Sequence, residues 1–198
     1  HCQVLNHAGG RIFGRKQLDF LSDYSKKRLD RFVQYAIQIS SKGKAGDYGG
    51  SITHSHAFDA QHQMKQTFKK AGGQYIKDHI TCLFWKESLR TSNVIRGNNI
   101  NLGPIFAKDS RLRFVLPIRN PMDCAVSNLK TGHVDKFEGL NQESSTVQVL
   151  RAVLDEILWF ANLYDTYPDR CFFYFEHSIS RDMLTRLAQF LELDPRSE

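Results

Sequence analysis

No Cys-x-x-Cys pair occurs in this sequence of 198 residues. Its cysteines, Cys2, Cys82, Cys124 and Cys171, stand far apart, which excludes a zinc ribbon and argues against a disulfide framework. A reducing compartment is therefore expected, the cytoplasm first and the Golgi lumen as the alternative. No apolar run approaches the ~20 residues of a membrane-spanning helix. The opening "HCQVLNHAGG" has neither the charge nor the apolar core of a secretory signal. Internal repeats, low-complexity tracts and interdomain linkers are also missing, so a single domain over residues 1–198 is expected. The chain lacks an initiator methionine and stops at "LDPRSE", which leads to the expectation of a piece incomplete at both ends.

What the sequence does contain is enough for a core and a charge bias. Hydrophobic residues make up 41% and aromatic residues 12% of the chain, sufficient for one ordinary domain. Lysine and arginine number 27 against 21 aspartate and glutamate, a formal charge of +6. That excess favours anionic partners: phosphate, sulfate, nucleic acid or acidic glycan.

Periodicity alternates along the chain. Residues 15–40 place Leu18, Leu21, Leu29, Phe32, Val33, Ala36 and Ile37 near helical spacing. The glycine-rich "SSKGKAGDYGGS" reads as a loop, and "HAFDAQHQMKQTFKKAGG" as a helix stopped by Gly72 and Gly73. "HITCLFWK", "RFVLPIR" and "CFFYF" are short apolar runs, expected as strands; Pro117 argues that the second lies near an edge or pairs on one side only. A loop with Gly97 and Gly103 separates the first two, a long helix over 145–166 precedes the third, and "RDMLTRLAQFLEL" closes the chain as a helix. Strands alternating with helices predict an α/β fold, a three-layer sandwich with a parallel sheet.

"FVLPIRNPMDCAVSNLKTGH" concentrates the chemistry. Ligands of open α/β sheets collect at the carboxyl ends of strands, where the next helix presents its N-terminus. Arg119 stands at such an end, Asn120 is a good N-cap and Pro121 suits the first helical position. Guanidinium, free N–H groups and helix dipole together attract a phosphate. Ser127 shares a helical face with Asn120 and Asp123 and can add a hydroxyl, while Met122, Ala125, Val126 and Leu129 are expected to face the core. The plain alternative is a strand-end arginine paired with Asp123 beside an exposed serine.

That segment resembles the 3′-phosphate-binding segment of sulfotransferases that use 3′-phosphoadenosine 5′-phosphosulfate (PAPS), with Arg119 and Ser127 at the matching positions. "LFWKES" is similar to the family's strand ending near the sulfuryl group, with Lys86 as the matching lysine, and "CFFYFEHSISRDMLTRLAQFLEL" resembles its late strand, acidic turn and helix. The resemblance covers most of residues 79–193. It implies a P-loop nucleotide-hydrolase-like sulfotransferase fold, truncated at the N-terminus, and transfer of a sulfuryl group from PAPS to an acceptor hydroxyl or amine, a small molecule or a glycan. On it, Arg119, Ser127 and Phe175 bind the cosubstrate, Lys86 stabilises the leaving oxygen and Glu87 is the candidate base. No metal is implied.

Departures from the family pattern are specific. No glycine-rich 5′-phosphosulfate loop is recognisable between a strand and a helix, and "HCQVLNHAGG" reads instead as an extended stretch following a missing loop. Phe175 replaces the family's usual tyrosine, and Ser88 stands where cytosolic members carry a histidine. His54, His56 and His62 could converge on zinc, but their spacing matches no strong signature. Two other functions remain as alternatives, a P-loop kinase-like phosphotransferase, for which a Walker lysine is missing, and a non-catalytic nucleotide-binding module. Nucleic acid is not expected as a partner, because the basic residues are dispersed and no stacking motif appears.

Overall fold

The computed structural model describes residues 2–43, 49–59, 61–70 and 72–193. The chain divides into two compact units, His1–Lys108 and Asp109–Glu198. Both are α/β, built from helices and small sheets.

The first unit begins with strand β1 (Cys2–Asn6) and the short helix α1 (Gly9–Ile12), followed by helix α2 (Lys26–Ser40). Residues 15–25, expected to begin the helix, form turns instead. Asp19, 6% exposed, accepts hydrogen bonds from Gly14 N at 2.9 Å, from Ser22 N at 3.1 Å and from the Ser22 hydroxyl at 2.8 Å, and so holds the chain in a compact bend. Ser25 then caps α2, its hydroxyl accepting from Arg28 N at 3.2 Å. Leu29, Phe32, Ala36 and Ile39 form the buried stripe of that helix. Strand β2 (Gly50–Ser51), helix α3 (Gln63–Lys70), strand β3 (Cys82–Lys86) and helices α4 (Arg90–Gly97) and α5 (Gly103–Lys108) complete the unit.

The sheet order is β2-β1-β3. β1 runs parallel to β3, in register from Cys2 opposite Cys82 to Asn6 opposite Lys86, and antiparallel to β2. Trp85 on β3 meets Phe32 of α2 at 5.1 Å and Phe13 at 5.3 Å between ring centroids, which seats α2 against the sheet. Gln3, 1% exposed, has both ends of its amide satisfied by backbone, donating to Tyr75 O at 3.3 Å and accepting from Lys77 N at 3.2 Å. The Sγ atoms of Cys2 and Cys82 lie 3.3 Å apart as free thiols.

In the second unit strand β4 (Phe114–Ile118) pairs in parallel with strand β5 (Cys171–Phe175), Phe114 opposite Cys171 and Ile118 opposite Phe175. Among the described residues β4 has no other strand neighbour, which accommodates Pro117. Helix α6 (Pro121–Thr131) follows β4, helix α7 (Thr146–Thr166) precedes β5, and helix α8 (Arg181–Phe190) comes after it. A capping box of Ser145 and Gln148 starts α7. Leu116, Ala125, Val134, Val149, Val153, Leu163, Cys171 and Met183 are buried, and burial pushes the Cys171 thiol up to about 11.

The general α/β class and the parallel pairing agree with the sequence. A single parallel sheet does not: among the described residues there are a three-stranded sheet with an antiparallel edge and a separate two-stranded sheet. The expected loop around Gly97 and Gly103 contains α4 and α5. Residues 44–48 of the glycine-rich segment lie outside the described residues, and Gly50–Ser51 is strand. No helix among the described residues is long and apolar enough to cross a membrane.

Candidate functional site

In each unit the residues of interest gather where parallel strands end. In the first, β1 stops at Asn6 and the chain turns at His7, whose φ is 48°. His7 N donates to the Lys86 carbonyl at 3.0 Å, so the β1–β3 ladder reaches one bond beyond the strand. The Lys86 ammonium meets Nε2 of the same histidine. Glu87, whose side chain is 5% exposed, receives the Gly9 N–H on Oε2 at 2.7 Å and faces His7 Nδ1 through Oε1 at 3.4 Å. An ionised carboxylate only accepts, so this contact assigns the imidazole proton to Nδ1 and leaves the Nε2 lone pair towards the ammonium. Burial raises the pKa of Glu87, but the His7 and Gly9 hydrogen bonds and the charge of Arg90 outweigh it and hold the carboxyl below its ordinary value.

Two glycines make this packing possible. A Cβ on Gly9 would lie 2.7 Å from Cδ of Arg90 and 2.8 Å from Oε2 of Glu87, and one on Gly10 would lie 3.0 Å from Nη1 of Arg90. Arg90, at the start of α4, therefore crosses both glycines at close range. Asn6 beside them is 0% exposed, and among the described residues neither polar atom of its carboxamide has a hydrogen-bond partner. A buried amide without protein partners costs stability.

In the second unit Arg119 follows β4 directly and is half exposed. Asn120 Oδ1 accepts from Met122 N at 2.9 Å and from Asp123 N at 3.4 Å, and Pro121 occupies the first turn, so the expected cap is present. Arg119 Nε donates to Glu176 Oε2 at 2.9 Å. That hydrogen bond, opposed by partial burial, raises the guanidinium pKa further. Glu176 follows β5, so the ion pair bridges the ends of two paired strands. Phe175, 43% exposed, stacks on His177 at 5.6 Å and meets Phe173 edge-on at 5.9 Å.

Among protein-family models, curated proteins and solved structures, none matches this chain.

The sequence expectations fare unevenly against this geometry. Arg119 pairs with Glu176 rather than with Asp123, the plain alternative. Ser127 is half buried two turns along α6, and no hydrogen bond joins it to Arg119. Met122 and Val126, expected in the core, are 48% and 50% exposed. The inward stripe of α6 runs through Pro121, Cys124, Ala125, Asn128 and Leu129 instead; Asn128 is tolerated there because its amide donates to Cys124 O at 2.8 Å. Lys86 and Glu87 stand together at the end of β3 as their sequence adjacency requires, but both oxygens of Glu87 are already engaged.

Within "HCQVLNHAGG", read as an extended stretch after a missing loop, the described residues 2–10 form a strand, a turn and the start of a helix that opens on two glycines. The hydrogen bonding of β1 to β3 decides this, and a strand with Gln3 and Asn6 inside it gives little apolar signal. His7, Gly9 and Arg90 were not singled out. Glycines directly after a strand, with a histidine between, are the local signal that points to them. His56 pairs with Asp59 at 3.2 Å and His62 Nδ1 accepts from Met64 N at 3.1 Å; among the described residues no group of three or more metal-ligating side chains forms.

Proposed function

We propose that the chain belongs to a PAPS-dependent sulfotransferase and carries binding determinants for that donor. The observation that carries the reading is Arg119. It is a half-exposed guanidinium at the carboxyl end of a parallel strand, one residue ahead of an Asn-capped, Pro-started helix, beside an exposed aromatic ring. A dianionic 3′-phosphate suits this end, because fork-shaped donors and helix N–H groups both favour such an anion. Its competitor, Glu176, holds Arg119 through an exposed ion pair worth about 0.2–1 kcal/mol. A charge-assisted bond to phosphate is worth about 1.5–3 kcal/mol, enough to compete with the carboxylate for the guanidinium. Phe175 offers adenine a stacking face.

In the transfer itself, the acceptor oxygen attacks sulfur and the bond from sulfur to the donor's phosphate oxygen breaks. The electron pair leaves with that phosphate; at the strand end of the first unit, taken by itself, the Lys86 ammonium is the group suited to offset such a charge. Once Lys86 has turned from His7 to the leaving oxygen, the acceptor proton passes to Nε2 of His7, which Glu87 steadies from the Nδ1 side. Glu87 acts through His7 and Gly9 in this scheme. A buried carboxylate with an already depressed pKa is a poor proton acceptor. Titration with adenosine 3′,5′-bisphosphate and with adenosine 5′-phosphate tests the reading: the first binds at least tenfold more tightly, and equal affinities overturn it.

A further inference from the structure

A second anion-attracting feature, within the first unit, shares no residue with either strand end. Lys16, Gln17, Ser25, Lys27, Arg28 and Arg31 line a cleft of about 450 Å³ in the first unit. Four of those six side chains are cations, and the lining has neither a carboxylate nor an aromatic ring. Arg28 is engaged by Asp23 at 2.7 Å, whereas among the described residues Lys16, Lys27 and Arg31 have no carboxylate partner.

The arrangement opposes the helix that carries it. Lys26, Lys27 and Arg28 occupy the first turn of α2, which has no acidic residue, and there the positive end of the dipole repels cations. Lys27 and Arg31 stand four apart on one face, a spacing at which like charges destabilise a helix. The bend fixed by Asp19 lies between Lys16 and α2, and Lys16 joins the other cations at the cleft. Each term is unfavourable in the free protein, and each is offset when a multivalent anion occupies the cleft.

From this we infer a binding site for a compact multivalent oxyanion, phosphate or sulfate groups a few ångströms apart on a saturated scaffold. The absence of an aromatic ring in the lining leaves nucleobases without a stacking surface, which sets the site apart from one for nucleotides or single-stranded nucleic acid. None of its residues takes part in the sulfuryl-transfer scheme, so the two readings stand or fall separately.

Calorimetric titration at low salt with sodium tripolyphosphate and with sucrose octasulfate separates the phosphate and sulfate sources. At least one binds with one-to-one saturation, weakens as salt is added, and exceeds orthophosphate by about tenfold or more. ATP binds no more tightly than tripolyphosphate in a background of Arg119→Ala. The double variant Lys27→Ala/Arg31→Ala loses at least about tenfold in affinity, while its melting temperature without ligand stays level or rises because repulsion is relieved. Tripolyphosphate binding that is sensitive to Lys27→Ala/Arg31→Ala persists in Arg119→Ala. Unsaturable binding, an unchanged affinity in the double variant, or tighter binding of a single-stranded oligonucleotide than of tripolyphosphate overturns the inference.

Discussion

Replacing Glu87 by alanine tests the strand-end cluster of the first unit. The carboxylate is nearly inaccessible, with 5% side-chain exposure, and it receives a charge-assisted bond of 2.7 Å from the Gly9 N–H. Gly9 is buried, so losing the acceptor strands its N–H away from water, and the lost bond plus desolvation cost about 2–4 kcal/mol. Glu87→Gln keeps an acceptor for Gly9 but loses the charge, at a cost of about 1–2 kcal/mol. Urea unfolding at neutral and at acid pH reads both variants. A carboxyl whose folded pKa is depressed stabilises in full above its unfolded pKa and loses that contribution as pH falls through the folded value. The gap between wild type and Glu87→Ala must therefore be largest at neutral pH and narrow in acid. A gap below about 0.5 kcal/mol, within the range of an ordinary surface substitution, or a gap that does not change with pH, refutes the assignment of Glu87 as an ionised tether.

Alanine at three glycines should rank by what each Cβ meets. Gly49→Ala is worst, about 2–4 kcal/mol, with φ 79° and the His7 carbonyl oxygen at 2.5 Å; Gly9→Ala follows, and Gly132→Ala costs about 1 kcal/mol, with φ 75° and only an ordinary contact, Gln142 Nε2 at 3.8 Å. Thermal melts of the three decide the order. Ser145→Ala removes the hydroxyl half of the capping box of α7, leaves the backbone N–H of residue 145 to Gln148, and should cost about 1 kcal/mol, read in the same melts. Asn6→Ala should leave stability level or raise it by about 1 kcal/mol, because it removes an unpartnered buried amide. Glu176→Ala should tighten binding of adenosine 3′,5′-bisphosphate by up to about fivefold, the value of an exposed ion pair.

The elements legible in the sequence were those whose signal is local. "CLFWK", "FVLPI" and "CFFYF" are continuous apolar runs, and each is a strand. Asn120 and Pro121 announce a helix start through adjacent residues, and Ser145 with Gln148 encodes the start of α7 the same way. β1 escaped because two of its five residues are buried polar groups, whose place is set by partners elsewhere in the chain. Gln3 reaches residues 75 and 77, and His7 and Gly9 reach Glu87, separations that no window of local periodicity spans. The Arg119–Glu176 pair lies 57 residues apart, so the sequence offered only the nearer Asp123 as a partner. The exposure of Met122 and Val126 followed from a face that turned inward on Asn128, a residue type that binary patterning assigns to solvent.

The account rests most heavily on Arg119 recognising a 3′-phosphate, and a thermodynamic cycle measures that contact directly. Affinities of adenosine 3′,5′-bisphosphate and adenosine 5′-phosphate are determined for the wild type and for Arg119→Ala. The account predicts a coupling of about 1.5–3 kcal/mol between the guanidinium and the 3′-phosphate, with the variant binding the two ligands nearly alike. Equal losses for both ligands on mutation, a coupling of zero, would contradict it.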